Sequence, residues 1–164
     1  MAVNLNGIKT QIKTIFDAAN TTTAATDLSA SMVNRVNRVM KVNPGQLPIQ
    51  ASFYPLVTVF IDEKNIESAT IAKTQVSGKR KAIIKVKIVG AVWNANLSSV
   101  DEDPADEDCE RLMENIEGIL RSYPDINSLL TWQVPDNVTY HDGRFDEESH
   151  LRAGVLTLNG TVFY

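Results

Sequence analysis

The chain has 164 residues, 43% hydrophobic and 22% charged, the balance of an ordinary globular domain large enough to bury its own core. A formal net charge of −4 argues against a dedicated nucleic-acid binder, and a single cysteine, Cys109, excludes an internal disulfide and fits a reducing compartment. The opening MAVNLNGIKTQIK has no apolar signal core, and no apolar run nears the roughly 20 residues of a membrane span; a cytosolic product with no membrane partner is expected.

Residues 1–19 read as a helix, since Leu5, Ile8, Ile12, Ile15 and Phe16 recur at intervals of three and four with Lys9 and Lys13 on the wet side. The narrow stripe suits a helix laid on a sheet. Residues 20–34 are expected to form a connection, mobile over the threonine-rich NTTTAAT of Asn20 to Thr26. From Asp27 to Val42 helical and strand spacings overlap, and a short strand near 35–42 is preferred. Pro44, Gly45, Pro48 and Pro55 then rule out regular structure over most of the next dozen residues.

Leu56 to Ile61, LVTVFI, is a strand entered from a proline, and DEKNIE after it reads as a turn or short helical step. Ala69 to Val76 is a weaker strand, with Ser77-Gly78 turning the chain into a hairpin whose tip carries Lys79, Arg80 and Lys81. That basic triplet is read as a solvated tip rather than an import signal. Arg80 to Asn94, RKAIIKVKIVGAVWN, organises the reading. Ala82, Ile84, Val86, Ile88 and Val92 fall on one face, Lys81, Lys85 and Lys87 on the other, the period of a half-buried strand. At full extension it spans roughly 50 Å, against about 40 Å for a compact chain of this size. It is therefore expected to bend at Gly90 or to project as an arm.

The acidic run DEDPADEDCE contains a helix start: Asp103 as N-cap, Pro104 at the first helical position, Asp106 in the first turn. Asp101, Glu102, Asp103, Asp106, Glu107, Asp108 and Glu110 are more carboxylates than the helix dipole needs, and they repel one another. The core stripe behind them runs from Ala105 and Cys109 through Leu112, Met113, Ile116, Ile119 and Leu120 to Tyr123, and Pro124 ends it. Trp132 and Val134 mark a loop or strand entry, Val138 to His141 a strand, and Asp142 to Ser149 a polar connection. Leu151 to Tyr164 closes the chain as a long strand with apolar residues on both faces, expected to be central or buried against a neighbouring subunit, with Gly154 and Gly160 as candidate bulges. The sum is a single α+β domain over 1–164: a mainly antiparallel sheet of long strands with helices on one face.

Chemistry is thinly represented. His141, Asp142, Asp146, Glu147, Glu148 and His150 are metal-binding residue types, so a metal-dependent hydrolase is the alternative from another class, but their spacing matches no metal motif. The acidic run lacks the alternation and central glycine of a calcium loop. Cys109 lies on an apolar stripe and reads as core. No catalytic residue and no cofactor is expected. The four N-x-S/T triplets, at Asn20, Asn96, Asn137 and Asn159, read as coincidence in a cytosolic chain. Lys79, Arg80, Lys81, Lys85 and Lys87, with Arg35, Arg38 and Lys41, could line a basic sheet face along nucleic-acid backbone, yet Trp93 is too little aromatic surface for base stacking. An assembly reading uses both charged regions together. A basic strand and an acidic helix start (Asp101, Glu102, Asp103, Asp106 and Glu107) can meet head to tail between copies and close a ring.

The order of elements carried by QASFYPLVTVFID, RKAIIKVKIVGAVWN, ERLMENIEGILRSYPDI and LRAGVLTLNGTVFY, roughly residues 30–164, resembles the tail terminator and related head-to-tail joining proteins of tailed bacteriophages. The resemblance implies a structural protein of the virion neck: a hexameric ring that caps the tail tube, stops its polymerisation, and meets the head connector or an adaptor, with DNA passing through the lumen. Another neck or tail-completion adaptor is the neighbouring possibility. The family has no catalytic residue to carry over.

Overall fold

A computed structural model describes residues 3–47, 50–68, 80–94, 104–126, 128–133, 137–144 and 150–164. Its elements are helix α1 (Leu5–Ala19), strands β1 (Arg38–Met40), β2 (Leu56–Ser68) and β3 (Arg80–Asn94), helix α2 (Pro104–Arg121), and strands β4 (Thr131–Trp132), β5 (Val138–Arg144) and β6 (His150–Phe163). Short 3₁₀ turns at Pro44–Gln46 and Ala51–Phe53 occupy the proline-rich stretch. The fold is α+β, as expected: a six-stranded sheet in the order β1-β2-β3-β6-β4, with β5 also on β6, and both helices packed against it. Among the described strands only β1, parallel to β2, departs from antiparallel pairing.

Side-chain alternation divides the sheet cleanly. Ala82, Ile84, Val86 and Ile88 of β3 are wholly buried beneath the helices, joined by Val57 and Val59 of β2 and Leu156 and Leu158 of β6. Helix α1 covers β1 and β2 through Ile8, Ile12 and Phe16, while α2 covers β3 and β6 through Leu112, Met113 and Ile116. Each such fully buried Val, Leu or Ile side chain contributes about 1.5–3 kcal/mol.

Neither long strand projects. β2 pairs β3 from Arg80 to Ala91, and β6 pairs it from Lys81 to Asn94, so the ribbon expected to bend or stand free is the middle of the sheet. The arm reading fails because its partners are equally long. DEKNIE is not a turn but the second half of β2, reached through a bulge at Asp62. β6 is central, as its two-sided apolarity suggested. Its glycines are not bulges, since pairing with β3 continues in unbroken register through both. Gly154 lies opposite Gly90, and a Cβ on Gly90 would stand 2.9 Å from Met113 Sδ, whereas one on Gly154 would overlap the Met113 side chain. Gly160 lies in the same way beneath Leu130. The glycines let α2 and the 128–130 turn approach the sheet.

Residues 20–34 contain no helix or strand, yet they are tied down. Asp108, Arg111 and Asn115 lie on one stripe of α2, and all three bind the passing backbone. The Asp108 carboxylate accepts from Val33 N–H at 3.0 Å, Arg111 donates to Ser31 O, and Asn115 Nδ2 donates to Leu28 O and Ala30 O at 3.1 and 3.0 Å. Leu28 beneath them is fully buried. On the other side Asp27 holds Arg35 through two hydrogen bonds of 2.8 and 3.0 Å. The Arg35 guanidinium pulls the Asp27 carboxyl below its ordinary pKa. Tyr123, expected in the core stripe, is 40% exposed because the helix stops at Arg121; its carbonyl accepts the Trp132 indole N–H at 2.6 Å. β5 runs through Asp142 to Arg144, beyond the His141 end expected for it. The weak strand at 69–76, the hairpin turn and the Asp103 cap lie outside the described residues.

Candidate assembly surfaces

The face of the sheet away from the helices carries the residues singled out by charge. Here Lys81, Lys85 and Lys87 of β3 face Glu67, Glu63 and Phe60 across β2. Every lysine in this row has an acid within its own chain: Lys81 with Glu67 at 3.4 Å, Lys85 with Glu63 at 2.8 Å, and Lys87 with Asp62 at 3.1 Å. Glu63 also accepts from Asn65, and these bonds, the one from Lys85 foremost, depress its carboxyl pKa while Glu63 raises that of Lys85. The stripe read as basic is thus a mixed-charge ladder. The acids are exposed and the lysines half-buried, and such surface pairs set cross-strand register more than they stabilise the fold. The signal was present in DEKNIE, whose Glu63, Asn65 and Glu67 alternate as a strand's would, but its polarity had placed it in a turn.

Of the other interface candidates, Arg80 begins β3 and exchanges backbone hydrogen bonds with Tyr164. Asp106 pairs with Arg152 Nε at 2.7 Å, and Glu107 pairs with Arg111 one helical turn on. Lys79, Asp101, Glu102 and Asp103 lie outside the described residues. Among the described residues no ion pair joins the two charged regions. Their described members are largely answered by internal partners.

Beyond the ladder the same face turns apolar. Leu56, Val89, Ala91, Ala153 and Val155, overhung by Pro44, Leu47 and Tyr54, line a trough of about 450 Å³. Trp93 packs against Tyr54, ring centroids 5.9 Å apart. Arg35 and Lys41 leave this face for contacts with Asp27 and Thr10, so the long basic face proposed for nucleic acid does not form.

The histidine-rich segment divides between faces. His141 lies opposite Ala153 and lines the trough, whereas His150 stands on the helix side, its Nε2 3.5 Å from Asp142 Oδ1. Alternation along paired strands points the two imidazoles in opposite directions, so they cannot share one ion. Asp146, Glu147 and Glu148 lie outside the described residues, and among the described residues no three His, Cys, Asp or Glu side chains gather at metal-binding distance. Asp142 instead pairs with Arg152, whose guanidinium lies 5.2 Å from the centre of the Tyr140 ring. Cys109 is wholly buried under α2, and burial pushes its thiol up to about 12, far from a nucleophile's range.

What sequence patterning missed is the state of the sheet's ends. At one, Arg38 of β1 is exposed, its guanidinium 4.3 Å above the Phe53 ring. At the other, Thr139, Tyr140, His141 and Asp142 of β5 are all exposed. Exposure of successive residues is the mark of an edge strand, and no alternation rule reveals it without the strand order.

Neither a protein-family model nor a curated protein matches the chain. No helix among the described residues is long and apolar enough to cross a membrane.

Proposed function

We propose that the protein is a structural component of a tailed-phage virion that forms a ring at the neck end of the tail, ends tail-tube polymerisation and joins the tube to the head connector. The observation that carries the reading is a sheet armoured by helices on one face only, ending in β1 and β5, each of which pairs with a single strand among the described residues. Such a unit has two unlike free flanks, the requirement for a head-to-tail contact that closes on itself. Among the described residues the two histidines point apart and Cys109 is buried, which favours an assembly role over a catalytic one. In this role the chain holds no cofactor; its partners are its own copies, the tube protein and the connector or adaptor.

Two measurements test it. Light scattering and negative-stain microscopy of the purified protein should give closed rings that dissociate at high salt; a monomer at every salt concentration rejects ring formation. Antibody against the protein should label intact virions where tail meets head, and labelling of the distal tip or the capsid shell rejects the neck assignment.

A further inference from the structure

Three rows of residues cross the sheet from end to end. Arg38, Leu56, Ala91, Ala153 and His141 form one, and Val39, Val57, Gly90, Gly154 and Tyr140 the next. Met40, Thr58, Val89, Val155 and Thr139 form the third. β1 and β5 thus end the sheet at the same height. Their directions follow from the pairings: β1 runs with β2, and three successive antiparallel steps leave β5 opposed to it. A second copy set alongside, neither inverted nor slid, brings its β5 against β1 in antiparallel sense.

The flanks also differ in charge. Arg38 and Lys41 are exposed at the β1 end, and among the described residues neither forms an ion pair; Lys41 Nζ donates instead to Thr10 Oγ1 at 2.8 Å. At the β5 end stand Asp142, answered by Arg152, and, on α2, the exposed Glu110 and Glu114, close enough to Tyr140 to act on its phenol. Asn37 N–H bonds back to Pro55 O at 2.7 Å, so the next amide, that of Arg38, points away from β2, on the side of β1 where no described strand pairs with it.

We propose that copies of this chain join by strand addition, the outer edge of β1 of one copy pairing antiparallel with the outer edge of β5 of the next, Val39 level with Tyr140, Arg38 level with His141 on the trough face, and Lys41 on the helix face toward Glu110 and Glu114. This rests on the ring reading and names its contact. Three residues of β1 bury far less than the roughly 800 Å² per partner of a stable interface. Each joint is accordingly weak, charge-guided and salt-sensitive, and closure of the ring holds the assembly together.

The test is a charge exchange. R38E/K41E copies have two acidic flanks and E110K/E114K copies two basic ones, so each alone should stay monomeric, with association at least about tenfold weaker than wild type, and unchanged circular dichroism. An equimolar mixture should assemble again, in even-numbered alternating rings. Disulfide trapping reads the register: R38C/H141C should oxidise to ladders of linked copies, while each single-cysteine variant should give no dimer. Rings that form normally from both charge variants, or dimers from R38C alone, overturn this contact while leaving the ring reading standing. A wild-type monomer overturns both. Ladders from a protein that labels elsewhere on the virion uphold the contact and sink the neck assignment.

Discussion

Gly154 shows how a single missing Cβ positions an element. It faces Gly90 across two strands, and Met113 of α2 rests on both. Gly154→Ala drives a methyl group into the Met113 side chain and should cost about 1–3 kcal/mol, the usual penalty of overpacking. Chemical denaturation will measure it. Met113→Ala, destabilising alone through its cavity, should recover part of the loss in the double variant, because the shorter side chain makes room for the new methyl group, which fills part of the cavity. Purely additive losses would mean that the glycine acts through backbone freedom rather than close approach.

At the scale of elements, the loop from Asp27 to Val36 depends on polar contacts more than any other described segment. Besides the α2 stripe, Asn20 Nδ2 donates to Val36 O at 2.9 Å, and the buried Ser29 hydroxyl accepts from Val36 N–H at 2.9 Å. Asp27 is the titratable member. Its carboxyl is held below the ordinary value by Arg35, so its contribution is present above about pH 4 and is lost as pH falls through the depressed value. Amide protection over 27–36, taken relative to the intrinsic exchange rate at each pH, should fall as pH drops below about 4 and show less of that response in Asp27→Asn. Equal pH response in the two proteins would remove Asp27 from the account. The Lys85–Glu63 and Lys87–Asp62 pairs matter differently. Reversing these lysines sets like charges side by side within one molecule, so any effect on assembly would mix an interface change with a loosened β2–β3 pair.

Over the whole molecule, two kinds of force are kept apart. The fold is held by one apolar cluster between helices and sheet, which salt does not weaken, whereas the flanks proposed to join copies meet through screened surface charge. Raising salt to about 1 M, where the Debye length falls to roughly 3 Å, should dissociate rings and leave the circular dichroism and denaturation midpoint of the subunit essentially unchanged. Parallel loss of rings and fold would show that the subunit folds only as part of the assembly.

Period-two alternation in RKAIIKVKIVGAVWN and the helical spacing from Ala105 to Leu120 determined β3, α2 and the faces they bury, because burial on one side of a regular element repeats with the element's own geometry. The same local logic found α1 and the central place of β6. It misjudged DEKNIE, since a strand paired through charges does not announce itself by apolarity. It took Gly154 and Gly160 for bulges, since the cause of a glycine lies in what packs over it. Which lysine meets which acid, that His141 and His150 point apart, and that β1 and β5 end the sheet at one height are relations between residues far apart in the chain. Only the folded sheet, by setting register and order, brings them into being.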